Sequence, residues 1–524
     1  MELFNAGYFT FESVTLLFLI FSPLLGCVVL GLPFFNSAKE KALGRVATFS
    51  FFISLIEFVL AGYLFFNLGS DTTLEYKTSF QLISYLGVNF SLLFDGLSGV
   101  LVLLTTFIFP LVFLSLNLIS SSYRSYSSLM LIMESTIIGS FLAVDLFVFY
   151  MFWELMLLPL FFIIGIWGGD KRIHATIKFI LFTLSGSFIM LLAIFYLALL
   201  SKEQLGAYSF ELTNLLKLNF TYKEEFFLFL AFAFGFGVKI PVFPLHTWLP
   251  DAHVEAPTGG SVILAAILLK SGVYGFLRFA IQLFPRVISD VAPYVAILGV
   301  IAIIYAALMA LVQKDIKRVV AYSSISHLGY CVLGMLLISS VTLNGVVVQM
   351  LSHGFVSAAL FLLVGMMYNR YHTKEIEAYG GMASASPRLA VIFFIFTLSA
   401  IAFPLTSGFV GEFLILTGSF KFLPVLTGIA ALGLILGAAY MLTLYKRVFF
   451  GKLNLSKESV KDLTFREVYL FIPLILATLW IGIYPQSFLD RVAPALKIIQ
   501  KENISNNNVY SNVLDNFAGL RINK

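Results

Sequence analysis

The chain has 524 residues, of which 60% are hydrophobic and only 12% charged, and its formal net charge is +5. Average soluble domains are about 25% charged, so this composition excludes a soluble globular protein and gives no reason to expect a nucleic-acid partner. Apolar runs of about 20 residues recur from end to end, and each is long enough to cross the hydrocarbon core of a bilayer. The composition therefore predicts a polytopic membrane protein.

Fourteen transmembrane helices are predicted in chain order, which makes the fold class an all-α polytopic membrane protein. The N-terminus carries two acidic residues and no basic residue before the first apolar run, which is typical of a retained helix rather than of a signal or transit peptide. The predicted spans cover residues 14–35, 46–68, 96–118, 128–146, 148–168, 175–200, 226–247, 259–284, 293–313, 318–340, 343–368, 388–420, 423–449 and 466–485.

Two of these spans are interrupted by proline and glycine. The stretch GFGVKIPVFPLHTWLPDAHVEAPT, residues 235–258, places Lys239 before two prolines, and AFPLTSGFVGEFLIL ends its own interruption with Glu412. Non-helical backbone at membrane depth is tolerated only where it lines a cavity or is buried in protein. Corresponding broken helices are also the best sequence pointer to an ion site in transporters built from inverted repeats. We therefore predict a polar, hydrated pocket around Lys239.

Ionisable side chains at membrane depth form the second signal. Each charged group at mid-bilayer costs about 2.5–3.5 kcal/mol even on the lenient insertion scale, so such groups need partners or internal water. Burial disfavours the charged form of a side chain and pairing restores it, so a buried Lys–Glu pair titrates as a unit. Histidine is the natural relay between such sites. The set predicts proton transfer and consists of Glu57, Glu134, Asp145, Glu154, Lys239, Lys270, His327, His353 and Glu412.

Several of these groups also have structural interpretations. A single buried Lys–Glu pair can be a packing contact between helices, and His353 can be a hydrogen bonder between helices. Glu57 and Glu134 belong to no interrupted segment, so we interpret them as structural or interfacial.

The spacing of the His, Cys, Asp and Glu residues does not favour a metal site. Four residues near the first interruption, His246, Asp251, His253 and Glu255, resemble scattered metal ligands, but capping of the loop is the favoured interpretation. Cys27 and Cys331 lie far apart and without CxxC spacing, so we expect no iron–sulfur or zinc site in this chain. Any redox cofactor is expected to belong to partner subunits.

Charge distribution predicts the orientation. With both termini on one side, most Lys and Arg of the connections fall on the opposite side, which the positive-inside rule assigns to the interior. The N-terminus is therefore predicted outside, in the periplasm or the intermembrane space. The polar tail from about residue 486 is predicted to be a peripheral strap or contact segment.

Five stretches together resemble a known family, the antiporter-like membrane-arm subunits of respiratory complex I. The stretches, which lie between about residues 90 and 450, are FYMFWELMLLPLFF, GFGVKIPVFPLHTWLPDAHVEAPTGGSVILAAILLKSGVYGFLRF, KDIKRVVAYSSISHLGY, SHGFVSAALFLLVGMMY and PLTSGFVGEFLIL. The resemblance implies two inverted five-helix repeats, in helices 4–8 and 9–13, with helices 7 and 12 broken. The implied units are residues 1–127, 128–284, 293–449 and 450–524.

The same resemblance implies a proton relay. Glu154 matches the helix-5 glutamate of the family and Lys239 its lysine partner on helix 7. The relay so implied consists of Glu154, Lys239, Lys270, His327, His353 and Glu412, with Asp145 as an acidic position on the helix of Glu154. Quinone reduction elsewhere in the complex would separate Glu154 from Lys239 and drive a proton toward Glu412.

Glu412 also distinguishes between branches of the family. Subunits 2 and 5, and the multisubunit sodium/proton antiporter homologues, usually place lysine at this position, whereas the branch called subunit 4 fits glutamate. Subunit 5 carries a long lateral C-terminal helix, and no such segment is predicted after residue 485. A subunit of a multisubunit cation/proton antiporter is the alternative function, and a purely structural scaffold is a third.

The resemblance further implies partners and a compartment. Subunits 2 and 5 and membrane lipids such as cardiolipin are the expected partners, and FMN, iron–sulfur clusters and ubiquinone are expected in partner subunits, with no cofactor in this chain. The chain contains 57 Phe, which suits an AT-rich organellar genome. A mitochondrially encoded protein of the inner membrane is therefore favoured over a bacterial one.

Overall fold

The computed structural model describes residues 10–35, 39–69, 75–119, 122–454 and 461–506, without the side chains of 39–42 and 501–506. Its main helices are α1 Phe11–Leu30, α2 Lys39–Asn67, α3 Gly96–Leu114, α4 Tyr123–Leu142, α5 Leu146–Trp167, α6 Arg172–Leu205, α7 Tyr222–Lys239 and Trp248–Glu255, α8 Thr258–Leu283, α9 Pro285–Leu311, α10 Ile316–Met335, α11 Ser340–Tyr371, α12 Pro387–Ala400 and Ser407–Phe420, α13 Pro424–Phe449, α14 Phe465–Ile483 and α15 Gln486–Asn506. Short helical pieces are Pro33–Phe35, Ser84–Leu86, Leu116–Leu118, Leu212–Leu215, Ile376–Ala378 and Met382–Ala385.

Eleven helices in the described part of the chain are long and apolar enough to cross a membrane, and both segments of α12 are shorter apolar helices. The predicted all-α polytopic membrane fold is thus confirmed. The count of fourteen crossings, the inverted repeats and the four unit boundaries stay predictions.

Both predicted interruptions are present. The first segment of α7 ends at Lys239, because Pro241 has no backbone N–H to continue the helix. The indole nitrogen of Trp248, at the start of the second segment, donates to the Val238 carbonyl at 3.0 Å and so satisfies a carbonyl of the broken end. In α12, the connection contains Ala402 and Leu405 with φ of +54° and +72°, a left-handed conformation that such residues rarely adopt.

A β-hairpin between α2 and α3 was not predicted. Strands β1 Tyr76–Ile83 and β2 Val88–Phe94 pair antiparallel, with Tyr76 opposite Phe94. Their turn contains Gly87 at φ +66°, and a Cβ there would collide with the Tyr208 carbonyl. The short strands are stabilised by contacts to distant segments, such as the bond from Val144 N–H to the Ser91 carbonyl at 3.0 Å. Such long-range partners are not visible in the local sequence.

The C-terminal tail was predicted to be a peripheral strap or contact segment without a long lateral helix. The 21-residue helix α15 begins directly after residue 485 and packs against α3, α9 and α11. Its Val492, Leu496 and Ile499 are fully buried. These residues recur at the spacing of one helix face, but the polar residues between them lower the average hydropathy and hide the pattern. Residues 507–524 lie outside the described part of the chain.

A buried ion pair joins α3 to α8. The Asp95 carboxylate caps the N-terminus of α3 by accepting from the backbone N–H groups of Leu97 and Ser98, and the Arg278 guanidinium binds both of its oxygens at 2.6 and 2.7 Å. Burial alone would raise the pKa of Asp95, but the Arg278 guanidinium and the Ser98 donors outweigh it and hold the pKa below its usual value. The pair therefore fixes α8 against the start of α3.

Alanine in place of Asp95 is expected to destabilise the protein by about 3–5 kcal/mol, since it leaves the buried Arg278 charge without its partner. Thermal denaturation of the detergent-solubilised protein measures the effect. Glu377→Ala is the matched control, because the Glu377–Arg447 pair is exposed and 3.4 Å long, and such surface pairs contribute about 0–1 kcal/mol. Equal shifts for the two variants would show that the buried pair does not stabilise the fold.

Candidate functional site

Glu154 and Lys239 face each other between α5 and α7. Lys239 is 3% exposed, and its Nζ lies 4.8 Å from the centre of the Trp153 ring, next to Glu154 in the chain. The two charged groups interact electrostatically. Within the described residues, however, neither Lys239 Nζ nor Glu154 Oε1 has a hydrogen-bond partner. The two groups therefore interact electrostatically without a hydrogen bond or a close ion pair between them.

Lys239 is also the last residue of its helical segment. The free carbonyls at the C-terminal end of a helix carry partial negative charge, which favours a cation there. Two backbone bonds close this end, from Ile240 N–H to the Phe236 carbonyl and from Val242 N–H to the Gly237 carbonyl, both 2.9 Å long. The interruption thus places the ammonium at a helix terminus without leaving the surrounding backbone unsatisfied.

The cleft beside the interruption is apolar, whereas the polar, hydrated pocket predicted around Lys239 stays a prediction. A cleft of about 960 Å³ runs along α7 and α9, and its lining is almost entirely apolar, including Gly237, Val242 and Pro244. Lys239 does not line it. The reason is geometric: the lysine lies over Trp153 of α5, whereas Val242, Phe243 and Pro244 after it line the cleft.

Lys270 lies on α8, close to the interruption of α7. The two helices touch at Gly272, where a Cβ would stand 2.8 Å from the Phe236 carbonyl oxygen. Lys270 is fully buried, and its Nζ donates to the Ala265 carbonyl and lies 2.6 Å from His353 Nδ1. A π-helical turn at Leu264–Leu268 contains this carbonyl. Lys270 is thereby held between α8 and α11.

Hydrogen bonds and a ring contact continue this line to α12. The rings of His353 and His327 lie 5.9 Å apart, centre to centre. His327 Nδ1 is 2.6 Å from the Glu412 carboxylate, which is 3% exposed. His353 Nε2 has no partner among the described residues. Lys270, His353, His327 and Glu412 therefore form one line of neighbouring groups through α8, α11, α10 and α12.

Two residues of this line were missed by the sequence analysis. Gln349 Nε2 donates to Glu412 Oε1 at 3.1 Å, and the Tyr440 hydroxyl lies 3.3 Å from His327 Nε2. Gln349 is a polar residue in an apolar run, four positions before His353, so one helix face of α11 carries both. That spacing was a usable signal. No comparable signal marked Tyr440 on α13, because a single tyrosine in an apolar helix is common.

Asp145 does not lie on this line. It caps the N-terminus of α5, where its carboxylate accepts from the backbone N–H groups of Phe147 and Val148 at 3.0 and 3.1 Å. A third donor, the Asn89 N–H at 3.0 Å, comes from the β-hairpin. The structure therefore places the first six predicted relay residues in two neighbouring groups and places Asp145 apart, in a fully bonded cap.

The four residues that resembled metal ligands diverge. Asp251 pairs with Lys178 and Arg318 at 2.8 and 3.0 Å. Glu255 accepts from the Lys171 N–H at 2.9 Å, and His253 stacks on Phe361. No group of three or more His, Cys, Asp or Glu in the described ranges could hold a metal ion. Glu255 and Asp251 instead tie the second segment of α7 to its neighbours.

Alanine in place of Gly411 is expected to destabilise the protein by about 1–3 kcal/mol through overpacking and to weaken the Gln349–Glu412 bond. A Cβ at Gly411 would stand 2.5 Å from Gln349 Oε1 and 2.9 Å from its backbone. Thermal denaturation measures the loss. Gly428→Ala on α13 is the control, since a Cβ there meets nothing within 4 Å, so this variant should be neutral or slightly stabilised. Equal behaviour would show that α11 and α12 are not held this closely.

The family model described as NADH:quinone oxidoreductase/Mrp antiporter, TM, matches residues 143–437. NADH-quinone oxidoreductase subunit M of Rickettsia typhi is 45% identical over 478 residues, which cover 90% of this chain and 95% of that protein. NADH-ubiquinone oxidoreductase chain 4 of Arabidopsis thaliana is 43% identical over 496 residues, covering 94% of this chain and 97% of that protein.

Solved structures give the same likeness. A chain of respiratory complex I from Thermus thermophilus with bound NADH superposes with a TM-score of 0.83 at 32% identity, covering 93% of this chain and 99% of that chain. The Mrp complex from Dietzia sp. DQ12-45-1b reaches a TM-score of 0.79 at 19% identity, covering 94% of this chain and 98% of that chain. At that identity the second likeness concerns the fold alone.

Proposed function

Because the chain belongs to the transmembrane family of NADH:quinone oxidoreductase and Mrp antiporter subunits, we propose that it is the proton-translocating subunit 4, or M, of an NADH:ubiquinone oxidoreductase. The observation that carries the proposal is the line from Lys270 through His353 and His327 to Glu412, with the Glu154–Lys239 pair beside its start. A chain with such a line can move protons without holding a redox centre.

The relay that we propose starts at the pair. When Glu154 and Lys239 separate, Lys239 loses the charge that stabilises its ammonium and releases a proton toward Lys270. Lys270 passes it to His353 Nδ1, and the free Nε2 side of that ring then faces the remaining line. His327 hands the proton on to Glu412. Quinone reduction in partner subunits supplies the energy, through a change of charge at the pair.

Two observations favour an oxidoreductase subunit over the alternative, a subunit of a cation/proton antiporter. Glu412 occupies a position where the antiporter homologues usually have lysine, and it is hydrogen-bonded as an acceptor to His327 and Gln349. Identity to the oxidoreductase subunits is 43–45%, against 19% for the Mrp structure.

We propose the corresponding partners and location. The partners are other membrane-arm subunits, in particular subunits 2 and 5, together with lipids such as cardiolipin. FMN, the iron–sulfur clusters and ubiquinone belong to partner subunits, and this chain holds no cofactor. The protein lies in the mitochondrial inner membrane with its N-terminus in the intermembrane space. Residues 128–284 and 293–449 form the two inverted repeats, and Asp145 supports the relay from its cap.

Native electrophoresis of mildly solubilised membranes tests the proposal. The gel is blotted for this chain, and the same lane is stained for NADH oxidation. Co-migration in one very large band is the expected result. Migration in a smaller complex without NADH activity would overturn the proposal and favour the antiporter, in which Lys239 would be a cation/proton exchange site.

A further inference from the structure

Two carboxyl groups outside this line meet where α1, α2 and α4 pack together. Glu57 of α2 and Glu134 of α4 are both 0% exposed. Ser22 of α1 donates to Glu57 Oε1, and Ser54 of α2 donates to Glu134 Oε2, both at 2.6 Å. Ser54 and Glu57 lie three residues apart on α2, on neighbouring turns of one helix face, so the Glu134 carboxyl that accepts from Ser54 lies beside Glu57, and the two carboxyl groups interact electrostatically. The sequence analysis interpreted these residues as structural or interfacial.

The carboxyl oxygens that accept from no serine indicate the protonation state of the pair. Within the described residues, Glu57 Oε2 and Glu134 Oε1 receive no hydrogen bond from any N–H or O–H donor. A carboxylate can only accept, so the two carboxyl groups can bond to each other only when one of them carries a proton. Two adjacent carboxylates in a buried site cannot both ionise unless a cation compensates them.

Among the described side chains of α1, α2, α3 and α4, no basic group lies next to the pair. Helix α1 carries Glu12 in its first turn and α3 has no ionisable residue between Gly96 and Leu114. The described cations of α2 and α4 are Arg45 and Arg124, which bind the carbonyls of Phe34 and Gly31. They lie twelve and ten residues before the two glutamates, about 15–18 Å along their helices. Within the described residues, the hydrogen bonds of the carboxyl pair come from the hydroxyls of Ser22 and Ser54.

A row of hydroxyls leads from the pair toward the end of the bundle where Arg124 binds the Gly31 carbonyl. Ser50, Ser54 and Glu57 follow each other at the spacing of one helix face of α2. Ser50 is 0% exposed, yet its Oγ has no partner among the described residues. Ser127 of α4, also buried and similarly unbonded, lies seven residues before Glu134. Buried hydroxyls without partners suit internal water between them.

We propose that Glu57 and Glu134 form a carboxylic acid–carboxylate pair that holds one shared proton, a proton-binding site separate from the line of α5 to α12. The proton reaches the pair through the hydroxyls of Ser127, Ser50 and Ser54. The site binds and releases a proton without a redox step, because only the shared proton moves. It does not depend on the proposed function, since proton binding is measured without NADH.

Infrared spectroscopy of the purified complex tests the pair, through the C=O band of protonated carboxylic acids at neutral pH. A shared proton predicts that Glu57→Gln, Glu134→Gln and the double variant lose the same amount of this band, because glutamine replaces the protonated partner. A loss twice as large in the double variant would mean two independent acids and overturn the sharing. An unchanged band in all three, with a spectrum that responds to sodium, would mean a cation site instead.

Deuterium exchange of the same band tests the path and needs no change in the carboxyl groups. Ser50→Ala is expected to slow the exchange several-fold. Ser135→Ala is the matched control, because this buried serine of α4 bonds to the Ile20 carbonyl and lies outside the row. Equal exchange rates in the two variants would overturn the path. This comparison remains decisive even if the glutamine variants fail to accumulate.

Discussion

Methionine in place of Lys239 is expected to leave the complex assembled and to abolish, or sharply reduce, redox-driven proton translocation. Methionine has a similar length and no charge, and replacing a buried charge by an apolar side chain is often neutral for stability. Lys239 Nζ also has no hydrogen-bond partner among the described residues, so the change leaves no other group without its partner. A positioned acid–base group contributes typically 10²–10⁴-fold, so translocation should fall by at least about a hundredfold.

The measurement is proton uptake into sealed vesicles during NADH oxidation, with assembly checked by native electrophoresis. Lys202→Met is the matched control. Lys202 Nζ also lies over an aromatic ring, 4.6 Å from the centre of the Tyr208 ring, but this lysine is exposed, in the last turn of α6. This control should pump normally. Near-normal pumping by an assembled Lys239→Met complex would eliminate the role assigned to this lysine.

Much of the site could be predicted because proline breaks and buried charges are visible in short stretches of the sequence. A lysine followed by Pro241 in an apolar run can mean only a broken helix with a buried cation, and both are present. Ionisable residues at membrane depth cost so much that each needs a partner. That reasoning singled out Lys239, Lys270, His327, His353 and Glu412, which the structure places on five separate helices, and their roles as relay groups stay predictions.

What could not be predicted depends on contacts between distant segments. The apolar cleft beside α7 lies where α9 packs against the segment that contains Pro244, and bonds to Asp145 and Val144 hold the hairpin in place. Asp145 lies between two helices, and because the predicted span 128–146 ended four residues after Leu142, the last residue of α4, a helix cap was predicted as an intramembrane acid. Glu57 and Glu134 show the same limit, because sequence alone gave no sign that they meet.

Glutamine in place of Glu412 is the second variant with a large expected effect. The amide keeps the size of the side chain and can still accept from Gln349, so α11 and α12 should remain packed. It cannot take up and release a proton as the carboxyl does, so the line ends at His327. Proton translocation is expected to fall by about a hundredfold or more, measured in the same vesicles. Glu377→Gln, in an exposed pair, is the control that should not change it.

The double variant Lys239→Met/Glu412→Gln separates a relay from two independent sites. When two groups act in series, removing the second causes no further loss of pumping once the first is gone. The double variant should therefore pump no worse than the single variant that pumps less. Multiplied losses would indicate that the two residues contribute independently and are not steps of one relay. Because Lys270, His353 and His327 form neighbouring contacts between the two positions, we expect the non-additive result. The contacts from Lys270 to Glu412 are then steps of one route rather than separate pairs that stabilise the bundle.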